Sequence, residues 1–482
     1  MAYPSSILWY DYETYGIRFE RDRIVQFACI RTDLNLNQIE DAEEFHSKIS
    51  DDYLPDPAAC LVHGYTPDDV IDYALSEADF TERVYRILSQ PNTCSVGYNT
   101  ESFDHKFTQH LFFRNLRDPY AWHWDKGNSK WDVIDLVRQT AFLRPGVINA
   151  KRTERGKSFK LSDIAAANNI QISKAHDALS DVMTTINIIK LIKEKAPDLY
   201  DLNFKMRLKE NVIDFLEEHW QSPILLTSRF IPSELNHTSL VVPICSHPSF
   251  SSRYIAYDLR RDIGILSSKT PEELKQLLFS KNTEAKENID RPGFVTIDTS
   301  KSPALWNISS SKVHLEWEME FQLSSSQALQ KITNLDEIIN HCFKYEDKEI
   351  DPKLDIEETL YTGIFTSDHD RRKLSEIIVS LNNSESVSLI DFQDSLRLRR
   401  LSKRYMARNF YQLMSDNDKK NWRLFVRNRL MAEDVYGVSM IKRNMLLIDE
   451  SISKHTSAED LWILNSLLGR VKKIALKYDI DV

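Results

Sequence analysis

Two carboxylates set two residues apart, Asp11 and Glu13 in the run Trp9-Tyr10-Asp11-Tyr12-Glu13-Thr14, are the first residues that could do chemistry. On an extended backbone, residues i and i+2 point to the same side, so the pair can converge on one cation. Asp104 follows in Asn99-Thr100-Glu101-Ser102-Phe103-Asp104, and His176-Asp177-Ala178-Leu179-Ser180-Asp181 sets a histidine five residues before an aspartate. Each signal has a plain reading by itself: solvated acids at a strand end, an acid favoured in a first helical turn, a structural histidine, an N-cap. Together, four carboxylates and one imidazole are what metal-assisted phosphodiester hydrolysis requires. That reaction uses acids to hold two cations roughly 3.5–4 Å apart. Magnesium takes oxygen ligands, and an imidazole can accept the proton of an attacking water near neutral pH.

The elements that must position these residues are legible around them. Residues 7–10 form a short apolar strand that runs into the Asp11/Glu13 pair, Ile24–Thr32 is rich in β-branched and aromatic residues, and a third strand is expected near 45–49. Thr66-Pro67-Asp68-Asp69 has the cap, proline and acids of a helix start. Phe80, Val84, Ile87 and Leu88 repeat along one helical face. A fourth strand over 93–98 precedes a helix opened by Asp104, and Ala178, Val182, Ile186, Ile189 and Ile192 line one side of a helix near 177–195. Strands followed by alternating helices and a strand predict an α/β domain, a mixed sheet covered by helices. After Ala196-Pro197 the texture becomes β-rich, with short runs at 238–243, 254–259 and 294–297 and a capping-box helix start at Thr270. From about Pro352 it is helical and charged, ending in a helix started by Thr456 and Glu459 with Leu461, Leu464, Leu468 and Val471 on one face.

The order DxE, then Asp about ninety residues on, then H-x4-D resembles the DEDDh superfamily of 3′→5′ exonucleases. The resemblance assigns Asp11, Glu13, Asp104 and Asp181 as metal ligands and His176 as general base. Asp177 stands where the superfamily's other branch has tyrosine, so the histidine branch is indicated. Asp118-Pro119-Tyr120-Ala121-Trp122-His123-Trp124, Asn128-Ser129-Lys130-Trp131-Asp132, Asp51-Asp52-Tyr53-Leu54-Pro55 and Tyr405-Met406-Ala407-Arg408-Asn409-Phe410 further resemble the bacterial exonuclease I family. That family implies an RNase H-like exonuclease domain over 1–195, an SH3-like β-barrel domain over 197–350 and a helical C-terminal domain over 352–482. It implies removal of 5′-mononucleotides from single-stranded DNA in repair and recombination, with two Mg2+ ions per site and Mn2+ as a substitute. Glu13, Gln109, Tyr120, Trp124, Arg138, Lys160 and Lys209 are the substrate contacts it implies. It also implies docking of the acidic C-terminal tail of single-stranded DNA-binding protein, for which Arg144, Arg397, Arg400 and Arg404 are candidates. The basic loop 151–158 departs from the more acidic insert usual in the family.

Composition bounds the rest. The 482 residues are 42% hydrophobic and 28% charged, a folded globular balance whose length suggests about three domains. No apolar run is long enough for a membrane span, and MAYPSSILWYDYE lacks the basic-then-apolar pattern of a secretory signal. Five scattered cysteines without a CxxC pair read as buried thiols. A cytoplasmic monomer is expected. The net charge of −10 weakly disfavours polyanions as a whole-chain sum, but clusters decide. Lys151, Arg152, Arg155, Lys157 and Lys160 form one basic cluster, and Arg397 to Arg408 another, whose bland reading is a solvated helix face. Aromatic rings interleaved with basic residues at 114–138 have the composition of a single-strand binding groove, or of a core in which some rings pack. A short proofreading or RNA-degrading relative would leave nearly 300 residues unexplained. A binding scaffold on an inactive nuclease fold has little support where all five catalytic residue types are present. A metal-binding structural domain would not explain His176.

Overall fold

The computed structural model describes residues 5–481 apart from 155, 175, 281–290, 309–325, 345–353, 363–365, 386, 388–394 and 435. It divides into two compact units. The first comprises 1–129, 172–183 and 350–482; the second comprises 130–171 and 184–349. The C-terminal segment thus shares a unit with the first 129 residues, which a linear division into consecutive domains does not anticipate.

In the first unit four strands lie side by side in the order β3-β2-β1-β4: β1 (Ser6–Thr14), β2 (Ile24–Thr32), β3 (Glu43–His46) and β4 (Thr93–Gly97). β1 runs antiparallel to β2 and parallel to β4, a mixed sheet. The third strand sits two residues earlier than its apolar run suggested. All nine residues of β2 are buried, as a central strand covered on both faces requires. Helix α1 (Glu77–Leu88), capped by Ser76, and helix α2 (Asp104–Arg114) pack on the sheet through Phe80, Val84, Leu88, Phe107 and Phe112. Helix α3 (Ala178–Lys195) opens in this unit, and its apolar stripe is buried throughout.

The C-terminal helices α5 (Asp368–Asn382), α6 (Ser395–Asn409), α7 (Asp416–Met431), α8 (Met440–Lys454) and α9 (Ala458–Lys477) join the first unit through two shared cores. One packs Val426, Ile448, Leu464 and Val471 against Tyr15, Val25, Tyr53 and Cys60. The other packs Leu374, Ile378, Leu398 and Tyr405 against Ala78, Phe113 and Leu116. Helix α9 is capped by Ser457, one residue beyond the threonine expected from sequence, and its buried face is Ile463, Leu464, Leu467 and Val471, with Leu461 and Leu468 at the margin.

A buried ion network crosses the same seam. Glu357 is 1% exposed and accepts from Arg23 at 3.1 Å, Arg404 at 3.2 Å and the guanidinium of Arg408. Arg408 also donates to Asp52 at 2.7 Å, and Arg114 reaches Glu77 at 2.9 Å. Burial alone would raise the Glu357 carboxyl, but Arg408, Arg23, Arg404 and Arg429 overcome it and hold it well below the ordinary range.

In the second unit five antiparallel strands lie in the order β8-β7-β6-β5-β9: β5 (Ile224–Thr227), β6 (Thr238–Ser246), β7 (Arg253–Asp258), β8 (Phe294–Asp298) and β9 (Ala304–Asn307). Their core joins Ile224, Leu226, Val241, Ala256, Ile297 and Leu305 to Val212 and Leu216 of a preceding helix. Helix α4 (Pro271–Phe279) starts at Thr270 with the capping box read from sequence. Among the described residues no helix is long and apolar enough to cross a membrane. All five cysteines are unpaired, four of them buried and Cys245 partly so.

Candidate active site

Side chains alternate across the C-terminal half of β1. Tyr10 and Tyr12 enter the core under α2, while Asp11 and Glu13 take the other face. The Tyr12 hydroxyl donates to Thr108 Oγ1 at 3.0 Å, and Thr108 donates in turn to the Asp104 carbonyl at 2.9 Å. This hydroxyl relay fixes the first turn of α2 against β1. Between β4 and α2 the chain must turn sharply. Gly97 lies so close to β1 that an added Cβ would meet the Tyr10 carbonyl oxygen at 2.8 Å, and Asn99 takes a left-handed conformation at φ 64°. Asp104 emerges at the first position of α2 and is 3% exposed.

The fourth carboxylate and the histidine come from the start of α3. Asp177 caps this helix, accepting from Ser180 N at 3.2 Å. That role separates it from Asp181, one turn on. His176 stands just before, exposed and left-handed at φ 57°. Glu13, His176 and Asp181 offer ligand atoms that all lie within 4.8 Å of one another. Asp11 and Asp104 fall outside that tight group but share its field. Burial and then the charges of Asp104, Glu13 and Asp181 push Asp11 well above the ordinary carboxylate range. Burial, followed by Asp181 and Asp104, raises Glu13 to about 8. Asp181 rises to about 7 through burial and Asp177. Acids crowded to this degree either keep protons near neutrality or are neutralised by cations, and an all-oxygen donor set with one imidazole suits a hard divalent ion.

One positioning residue escaped sequence reasoning. Gln26, fully buried in β2, is the cross-strand partner of Glu13. Its Nε2 donates to Asp177 Oδ1 at 3.1 Å, and its Oε1 accepts from Ala178 N at 3.1 Å. It ties the start of α3 to the sheet beside Glu13. The available signal was a lone amide inside an otherwise apolar strand, Ile24-Val25-Gln26-Phe27-Ala28.

The aromatic block divides as its composition allowed. Trp122 and Trp131 are at most 1% exposed and belong to cores, whereas Trp124 is 61% exposed. Tyr120 is half-buried against the Phe113–Leu374 core and lines a cavity of about 460 Å3. Gln109, on α2, accepts from the Tyr361 hydroxyl. In the second unit Arg138 is nearly buried, donating to Asp135 at 2.7 Å and lying 5.9 Å over the Phe159 ring. Lys160 and Lys209 are exposed at helix starts.

The basic run at 397–408 is not the evenly solvated helix face of its bland reading. Arg397 is buried over the Phe113 ring, Arg404 pairs with Asp355 and Glu357, and Arg408 lies inside the ion network. These guanidiniums neutralise internal carboxylates or pack on rings, while Arg397 also lines the cavity beside Tyr120 and Arg404 also lines a cavity with Trp422 and Phe425. Arg400 and Lys403 remain at the rim of a cavity of about 380 Å3 floored by Trp422 and Phe425. Arg144 is engaged by Asp198 and lies 5.5 Å over Trp306.

Family models describe residues 8–189 as an exonuclease, 207–345 as an exonuclease I SH3-like domain and 354–473 as an exonuclease I C-terminal domain. The exodeoxyribonuclease I of Buchnera aphidicola subsp. Acyrthosiphon pisum is 37% identical over 414 residues, covering 84% of this chain and 97% of that protein. The crystal structure of E. coli exonuclease I in complex with a dA16 oligonucleotide superposes with a TM-score of 0.89 at 29% identity, covering 98% of this chain and all of that one. The zinc-bound form of the E. coli exonuclease I–single-stranded DNA complex gives 0.88 at 29% identity over the same shares.

Proposed function

From its membership of the exodeoxyribonuclease I family, which makes this chain a DNA-hydrolysing enzyme with an RNase H-like exonuclease domain, an SH3-like domain and a helical C-terminal region, we propose that it removes 5′-mononucleotides from the 3′ end of single-stranded DNA. The observation that carries this reading is the cluster of Glu13, His176 and Asp181, with Asp11 and Asp104 in the same electrostatic field. Asp11, Glu13, Asp104 and Asp181 would hold divalent cations, by this reading two Mg2+, which supply charge stabilisation of the phosphate and acidify the attacking water. His176, exposed beside Glu13 and Asp181, takes the proton of that water. Tyr120 and Trp124 offer rings to bases, and Gln109, Arg138, Lys160 and Lys209 offer donors to the sugar-phosphate strand.

Support also comes from the relatives that hold oligonucleotides, E. coli exonuclease I with dA16 among them. The test is a gel of end-labelled single-stranded DNA, single-stranded RNA and duplex DNA, with magnesium and with EDTA. Metal-dependent shortening of the single-stranded DNA alone supports the reading; preference for RNA or for duplex overturns it. We further propose that the cavity rimmed by Arg400 and Lys403 takes the acidic, apolar-ended tail of single-stranded DNA-binding protein, since its apolar floor and cationic rim complement such a peptide. Binding of a labelled tail peptide should be lost at high salt and on Arg400→Glu.

A further inference from the structure

The basic loop at 151–158 folds as a small β-hairpin in the second unit, Arg152–Thr153 pairing antiparallel with Gly156–Lys157. Ser158 N donates to the Lys151 carbonyl at 2.8 Å and closes it, and Thr153 Oγ1 donates to the Gly156 carbonyl at 2.8 Å. The hairpin rests backbone against backbone on the turn at Ser233–Leu235. Gly156 sits at φ 110°, and a Cβ there would meet the Ser233 carbonyl oxygen at 2.5 Å. Only glycine permits that approach.

Arg152 and Lys157 are register partners, so two cations leave one face of the hairpin directly opposite each other, with Cβ atoms about 5 Å apart. Like charges placed in this way destabilise a strand pair. The acids nearby do not relieve them. Asp163 is taken by Ser158 Oγ at 2.6 Å and by Lys151 at 3.6 Å. Glu154 in the hairpin turn and Glu234 in the turn beneath make no ion pair with either cation among the described residues. Burial and Arg152 push the Lys157 ammonium below its ordinary range, and no described carboxylate opposes them. Arg152 is exposed and Lys157 half-buried. Lys160, three residues on and at most about 11 Å away along the chain, is exposed at a helix start.

Resting on the nuclease reading above, we propose that Arg152 and Lys157 are further substrate-binding residues, a two-cation clasp for adjacent backbone phosphates of the single strand, beside the phosphate that Lys160 meets. A phosphate between the two cations replaces their mutual repulsion with attraction to both. The hairpin thus gives up stability of its own to hold charge where the strand passes.

The test uses full-length protein in EDTA, where the strand stays intact, with a fluorescent oligothymidylate and a blunt duplex titrated between about 50 and 200 mM salt. Arg152→Gln combined with Lys157→Gln should flatten the slope of log affinity against log salt by about 1.4 on the single strand, so that its loss of affinity over this range is about sevenfold smaller than the wild type's. Each substitution alone should flatten the slope by about 0.7. The melting temperature should hold or rise, since the like charges are gone. With Mg2+, the KM for single-stranded DNA should rise while kcat at saturation holds, because neither residue belongs to the carboxylate cluster. An unchanged slope overturns the clasp. So does a change confined to the duplex, which would give the hairpin to a second strand, or a fall in kcat at unchanged KM. Degradation of single-stranded DNA by the wild type alongside any of these results leaves the nuclease reading standing. A wild type that neither binds nor degrades single-stranded DNA overturns both.

Discussion

Lowering the pH should weaken divalent-cation binding steeply, because the carboxylates that would hold the ion keep protons near neutrality. With Glu13 at about 8 and Asp181 at about 7, roughly one molecule in a hundred has Glu13 ionised at pH 6, and about one in eleven has Asp181 ionised. At pH 8 the fractions are about one half and nine tenths. If both must be charged to take the ion, apparent affinity falls by about two to three powers of ten from pH 8 to pH 6, roughly 3–4 kcal/mol at about 1.36 kcal/mol per tenfold. Asp11, also pushed up, can only steepen the fall. Calorimetry of Mg2+ or Mn2+ binding to chelator-stripped protein, in two buffers of different ionisation enthalpy, reads both affinity and proton release. Roughly two protons should leave per binding event at pH 6 and fewer than one at pH 8. The linkage has a second consequence. Acids whose folded pKa is raised favour the folded state below their unfolded pKa and cost stability as pH rises toward the folded value, so metal-free protein should melt lower at pH 8 than at pH 5 and metal should reverse this. An affinity changing less than tenfold between pH 6 and 8, with no proton release, would refute the reasoning.

His176→Ala should lower kcat by roughly 10²–10⁴, the usual worth of a general base, in single-turnover assays at saturating metal. If metal affinity collapses instead, the imidazole is a ligand. Glu357→Ala should destabilise the protein by about 3–5 kcal/mol in urea titrations, because Arg23 and Arg408, each 2% exposed, lose their shared counter-charge; a loss under about 1 kcal/mol would mean that water or rearranged partners replace it. Trp124→Ala should weaken single-strand binding by about 1–3 kcal/mol in anisotropy titrations while leaving the melting temperature unchanged, since the ring is 61% exposed.

Local patterns carried much of this structure. β2 and α2 have the limits their residues imply, and the capping box at Thr270 is present, because strand alternation, helix periodicity and caps are decided within a few residues. The candidate set was legible only through the order of its motifs, which resembles the DEDDh superfamily, since each carboxylate at a strand end or in a first helical turn is ordinary by itself. Gln26 was not legible, since its worth depends on lying opposite Glu13 and reaching a helix start 151 residues away. The basic run at 397–408 hid its partners similarly. Arg408 meets Asp52 across 356 residues of sequence, and no periodicity links them. The placement of the C-terminal helices with the first 129 residues follows from such distant pairs and from the shared apolar cores, neither of which has a local signature. His176 shows the opposite limit: the order of motifs located it, but its left-handed backbone at φ 57° has no signal in the sequence.

The central claim is that Asp11, Glu13, Asp104 and Asp181 form one metal-holding hydrolytic centre acting at the 3′ end of single-stranded DNA. Its most direct test follows a 5′-labelled single-stranded oligonucleotide with wild type, Asp11→Ala and Asp181→Ala, each with Mg2+, while anisotropy in EDTA reports strand binding. The account predicts a ladder of progressively shortened labelled strands and released 5′-mononucleotides with wild type. It predicts no shortening by either variant at nearly wild-type affinity for the strand. Wild-type turnover by either variant, or immediate release of the labelled 5′ nucleotide by the wild type, would contradict it.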